Sequence, residues 1–177
     1  MIYLRRFIVY VALALFLSIS ALSPVFASDV VVVDIQQLEA LSIVGKDLRK
    51  KIQTKRDALK AEVAKEEKAL NNEQKKIMSL KETLSPEEFK VKAQAFDKSF
   101  KKKQNETAKK GRAFEKASME AHSKLREKVV SVVGGIAEEK KYKIVLSRQS
   151  VVIVEKSMDI TEEAMKRLNK NVKSIPY

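Results

Sequence analysis

The sequence predicts an α+β, mainly α fold: a long antiparallel helical hairpin, a coiled-coil-like arm, carried on a small β-containing oligomerisation head. Three observations predict it. Residues 35–84 contain no proline and one glycine, Gly45, in a stretch rich in Lys, Glu, Ala, Leu and Gln, all good helix formers. Leu84-Ser85-Pro86-Glu87-Glu88 then interrupts with the chemistry of a helix start. Short β-branched runs stand before and after this helical stretch and read as the strands of the head.

The first 27 residues read as a secretory signal. Arg5 and Arg6 give a positive start, residues 7–22 an apolar core, and Val25-Phe26-Ala27 a small-x-small cleavage site. The apolar run is shorter than the ~20 residues of a spanning helix and Pro24 closes it, so cleavage after Ala27 and release are expected. The chain has no cysteine, which excludes a lipid anchor at that site, a disulfide framework and redox control.

Next, Val30, Val31, Val32 and Val33 form a run apolar at every position, as expected of a strand covered on both faces. One very long helix follows over 35–84. At its end Ser85 is suited to cap a new helix, Pro86 fits the first helical position and Glu88 completes a capping box. The second helix runs from residue 86 to about 140 and returns antiparallel, with the tip near 84–88. Over residues 46–84, at 1.5 Å per residue, the arm spans about 60 Å.

Leu48, Leu59 and Leu70, Ile52 and Val63, and on the return Phe114, Leu125 and Ile136 recur at eleven-residue spacing, the period of a nearly straight pair. Between 101 and 113 the return helix offers no large apolar side chain and contains Gly111, so a bend is expected there. Gly134-Gly135 reads as a flexible junction between arm and head. Beyond it, Ile144, Val145 and Leu146, then Val151, Val152, Ile153 and Val154, read as two further strands, and a terminal amphipathic helix starts at Asp159 or Thr161. The head is therefore 28–45 plus 129–177 and the arm 46–128. A head this small, with open strand edges, needs copies of itself for stability.

Charge is divided unevenly. Residues 46–128 hold 25 basic and 14 acidic residues, a net of +11, while the rest of the chain after Ala27 has nine of each. The densest stretch contains Lys101, Lys102, Lys103, Lys109, Lys110 and Arg112 against Glu106 alone. A two-helix arm must be covered with charge for solubility, but solubility does not dictate one sign. A one-signed field attracts acidic partners over a distance set by salt: an acidic unfolded protein, or anionic lipid or lipopolysaccharide. Export and the lack of a recognisable nucleic-acid-binding module argue against nucleic acid. Met78, Leu80, Leu84, Phe89, Phe96 and Phe100 gather near the tip, either as seam packing or as a surface for apolar segments of a client.

Enzymatic chemistry has no foothold. The single histidine, His122, lies in a polar helical stretch with neither a cysteine nor a second histidine to share a metal, and no nucleophile elbow or phosphate-binding loop is present. No metal site, cofactor or catalytic residue is assigned.

The order of parts resembles the Skp/OmpH family of periplasmic chaperones. The residues that carry the resemblance are Val30 to Val33 followed by Asp34, the Lys-Lys-Tyr-Lys-Ile-Val-Leu stretch at 140–146, the strand-like Ser150 to Val154, and Asp159-Ile160-Thr161-Glu162-Glu163 ahead of Leu168-Asn169-Lys170. Where the family often has glycine before the tyrosine, this chain has Lys141. The resemblance implies a homotrimer: a central body built from strands of three subunits, and three hairpins enclosing a cavity that holds unfolded outer-membrane proteins without ATP. An envelope adaptor docking a folded partner, or an anionic-lipid-binding surface protein, are the alternatives.

Overall fold

The structure, a computed structural model, describes residues 30–177; the secretory signal and its cleavage site lie outside the described residues. Strand β1, Val30–Val33, is followed by Asp34, whose carboxylate accepts the Gln37 N–H at 2.8 Å and caps helix α1, Ile35–Leu41. The expected unbroken helix over 35–84 is interrupted here. Ser42 is extended (φ −61°, ψ 155°) and caps a new helix α2, Ile43–Ser79. Its hydroxyl accepts the Gly45 N–H at 3.1 Å, and Asn169 accepts the Ile43 N–H at 2.8 Å. A serine side chain that bonds the backbone locally competes with helix continuation. Gly45 makes the break possible, because a Cβ there would stand 1.9 Å from the Glu39 carbonyl oxygen.

Helix α2 ends at Ser79, earlier than Leu84, and residues 80–84 form the turn. Helix α3, Pro86–Lys140, begins with the expected capping box: the Ser85 hydroxyl accepts the Glu88 N–H at 3.3 Å and the Glu88 carboxylate accepts the Ser85 N–H at 3.1 Å. Hydrogen bonds from the Ser85 hydroxyl and backbone N–H hold the Glu88 carboxyl below its ordinary range. Helix α3 runs unbroken through Gly111 and Gly134-Gly135, so one continuous helix, with no glycine junction, carries the arm into the head.

Lys141 ends α3 in the left-handed conformation (φ 57°, ψ 32°), with Tyr142 N–H bonded to the Ala137 carbonyl at 2.9 Å. Strand β2, Ile144–Ser147, then pairs parallel with β1, Val30 opposite Ile144 and Val33 opposite Ser147. On its other edge β1 bridges Asp159, and the Val32 carbonyl accepts the Ile160 N–H at 2.9 Å.

The third strand, expected at Val151, Val152, Ile153 and Val154, is not formed; the described residues contain a two-stranded sheet. After a 3-10 turn, Arg148–Ser150, that segment runs as a loop in which Arg148 donates to the Val151 carbonyl at 2.8 Å. Both edges of β1 are taken, and among the described residues the segment does not pair with the outer edge of β2 either. A second 3-10 turn, Lys156–Met158, leads to helix α4, Thr161–Asn171.

The core sits in the head and the root of the arm. Leu38, Val44, Leu48, Leu125, Val129, Ile136, Ala164 and Leu168 are buried, with Val31 and Val33 of β1 in the same cluster. Towards the tip, the last buried positions are Ile52 on α2 and Ser118 on α3. Beyond them every described residue is at best half-buried, as two helices alone can exclude little water.

Candidate functional site: the basic arm

Helices α2 and α3 meet along a seam whose half-buried positions on α2 are Leu59, Val63, Glu66, Leu70 and Ile77. Each residue of the eleven-spaced series is buried or half-buried. Opposite the centre of α2, however, α3 presents polar groups. The Glu66 carboxylate receives Lys103 Nζ at 3.5 Å and the Thr107 hydroxyl at 3.3 Å, and Lys110 Nζ reaches Glu62 at 2.5 Å. The hydrogen bond that Lys110 donates to Glu62, helped by the charges of Glu62 and Glu66, holds Lys110 protonated above the ordinary lysine range. Below this layer Arg56 lies over the Phe114 ring, 5.6 Å from its centroid. The thinness expected at 101–113 thus takes the form of a polar layer bordered by a cavity of about 330 Å³ that Val63, Leu70, Phe100 and Thr107 help to line.

The six clustered bases divide accordingly. Lys103 and Lys110 turn inward to acidic partners on α2. Lys101, Lys102, Lys109 and Arg112 are exposed and make no ion pair among the described residues. At about 100° per residue these four fall within an arc of about 100° on the side of α3 away from the seam. Lys98 and Lys116, which composition alone did not single out, lie in the same arc and are exposed; Lys116 stands 3.9 Å from Glu120. The helical spacing of these two was visible in the sequence. Together they make a basic ridge from residue 98 to 116, about 27 Å long.

At the tip, Met78, Leu80 and Phe100 are exposed, at 56%, 36% and 41%, while Leu84, Phe89 and Phe96 are half-buried. Phe96 and Phe100 form a tilted pair with centroids 6.1 Å apart. Part of the cluster therefore packs against the arm and part faces water. Val91, 65% exposed, adds to the outward part.

In the head, Val31, Val32 and Val33 are buried within their own chain, whereas Ile144, Leu146, Val152 and Ile153 are exposed, the last two at 93% and 87%. Val145, Val151 and Val154 are half-buried, as is Val30. His122 is exposed, and among the described residues no cluster of acids, histidines or cysteines is arranged to hold a metal. No described helix is long and apolar enough to cross a membrane.

A small α+β head bearing a long basic hairpin defines the class. The chain belongs to the OmpH-like outer membrane protein family, whose model matches residues 29–168. Among solved structures it is similar to an OmpH-like protein of Caulobacter crescentus, assigned as an outer membrane chaperone, at 21% identity and a TM-score of 0.79 over 88% of this chain and 91% of the other. No curated protein matches.

The residues that carry the resemblance are structural pins. Asp34 N–H donates to the Thr161 hydroxyl at 2.9 Å, and the Asp159 carboxylate accepts the Thr161 N–H at 2.9 Å. Ile160 and Leu168 are buried, and Asn169 holds the start of α2. Arg167 adds a clamp, donating to Glu139 at the end of α3 and to Glu163 at 2.7 Å, and Lys140 also pairs with Glu163.

Proposed function

We propose that the protein is an ATP-independent holdase of the periplasm, exported by a signal cleaved after Ala27, that binds unfolded outer-membrane β-barrel proteins and prevents their aggregation. The observation that carries this reading is the basic ridge on the exposed side of α3, a one-signed surface on an arm with no enclosed dry site for chemistry. Capture begins with Lys101, Lys102, Lys109 and Arg112, with Lys103 and Lys110 contributing field while paired. Exposed Met78, Leu80, Val91 and Phe100 then offer weak apolar contacts to a chain already held.

Self-association completes the device. The exposed apolar side chains of Ile144, Leu146, Val152 and Ile153 support burial against other copies, and family membership supports three. Several arms around one client multiply weak contacts through effective concentration. Release needs no nucleotide, because the client leaves when it gains a more stable fold in the membrane.

A titration of an acidic, urea-unfolded β-barrel protein against the mature chain at rising salt tests the reading. Affinity should fall steeply between low and physiological ionic strength. Binding only to a folded envelope partner would favour an adaptor, and cosedimentation with anionic vesicles but not with unfolded chains would favour a lipid or lipopolysaccharide surface.

A further inference from the structure

Beyond α4 the chain does not leave the molecule. Val172 turns extended (φ −112°, ψ 109°), and Pro176 keeps the preceding residue extended. Fully extended, the chain from Val172 to Tyr177 reaches at most about 17 Å, and it carries Tyr177 to Ser118 and Lys55 at the root of the arm. Ile175, 3% exposed, joins the buried cluster, and Val172 and Tyr177 pack against it.

Tyr177 meets both arm helices. Its hydroxyl lies 3.2 Å from Ser118 Oγ on α3, and Lys55 Nζ on α2 stands 5.9 Å from its ring centroid. Since the Ser118 hydroxyl donates to the Phe114 carbonyl at 2.9 Å, the Tyr177 hydroxyl is the donor to Ser118. The ring helps to line a cavity of about 460 Å³ between the helices, with Leu59, Ala113, Phe114 and Ala117. This is the level at which buried seam positions end.

We propose that residues 172–177 are a latch that fixes the root of the arm to the head, with Tyr177 as the wedge that sets the spacing of α2 and α3 there. The segment lies beyond residues 29–168 matched by the family, and the proposal goes beyond the holdase reading without depending on it. Lys173 and Ser174 are exposed, so the latch is held chiefly by Ile175 and Tyr177. A segment held by so few buried contacts opens at a low local free energy. When Tyr177 lifts, the arm root loses the side chain that touches both helices.

Hydrogen exchange of the mature protein tests this, comparing wild type with Tyr177→Ala and Tyr177→Phe. In Tyr177→Ala, amides of 55–62 and 110–118 should exchange about tenfold faster while those of β1 and β2 are unchanged. Tyr177→Phe keeps the ring and should restore most of that protection. Unchanged exchange at the root in Tyr177→Ala would overturn the latch, as would equal acceleration of arm and head, which would make Tyr177 ordinary core. A Phe variant as fast as the Ala variant would overturn the wedge.

Discussion

Glu66 and Lys103 face each other across the seam of the arm, 3.5 Å apart, where the flanking α2 positions are Val63 and Leu70. The Glu66 side chain is 23% exposed and that of Lys103 44%, so Glu66 gives up hydration for an attraction that water on the lysine side partly screens. A cavity borders it. The centre of the arm is therefore specified in register by charge but packed loosely.

Replacing Glu66 by leucine should tighten the arm. Lys103 retains Glu106 at 3.8 Å and Lys110 retains Glu62, so no cation is stranded, and the new side chain extends the apolar seam. We expect about 1 kcal/mol of added local stability, seen as slower hydrogen exchange in 60–72 and 98–110. Faster exchange there would show that the polar layer is stabilising.

Lys141 is the single non-glycine residue with positive φ among the described residues. Its side chain makes the left-handed conformation costly, and glycine removes that cost. Lys141→Gly should raise stability by about 1 kcal/mol and the melting temperature by a few degrees, without altering client binding. A lower melting temperature would mean that the lysine side chain contributes more than the backbone loses.

The Arg167 clamp should be acid-sensitive. Arg167 holds the Glu139 carboxyl below its ordinary range, and Lys140 followed by Arg167 does so for Glu163. Carboxyls lowered in the folded state contribute stability that is complete above the ordinary carboxylate range and is lost as pH falls through the lowered values. Arg167→Met should lower the melting temperature at neutral pH, and its gap from wild type should narrow towards about pH 3. A gap of constant size at both pH values would mean that the clamp acts through packing.

Charge reversal separates the two groups of bases. Changing Lys101, Lys102, Lys109 and Arg112 to Glu should weaken capture of an unfolded acidic client at least about tenfold at low salt and flatten its salt dependence, with helicity intact. Changing Lys103 and Lys110 to Gln should disturb the seam more than capture. Equal losses from both sets would dissolve the distinction.

Much of this was legible locally. The capping box at Ser85 and Glu88, the strand at Val30 to Val33 and the two inward-facing seams follow from short-range chemistry and periodicity, and they appear where the residues put them. The break at Ser42 was harder to read, since its signal is a serine three residues before a glycine, and its reason is a close approach to Glu39 seen only in three dimensions. The fate of Val151 to Val154 depends on which strand edges take them up: Ile144 to Ser147 and Asp159 occupy those of β1 from far along the chain, and β propensity alone does not bring the segment onto β2. The basic ridge was half legible: the count of lysines was plain, but the choice of Lys103 and Lys110 for the seam depends on the register of α2 against α3. The seating of Tyr177 on the arm had no signal in the sequence beyond an isoleucine and a tyrosine around Pro176.

The most direct measurement is light scattering of a urea-denatured outer-membrane β-barrel protein diluted into low-salt buffer with and without the mature protein, with the mass of the assembly determined in the same buffer. A trimer that suppresses aggregation without nucleotide, and loses that effect at high salt, is the expected result. A folded protein of any mass that leaves aggregation unchanged would contradict the holdase.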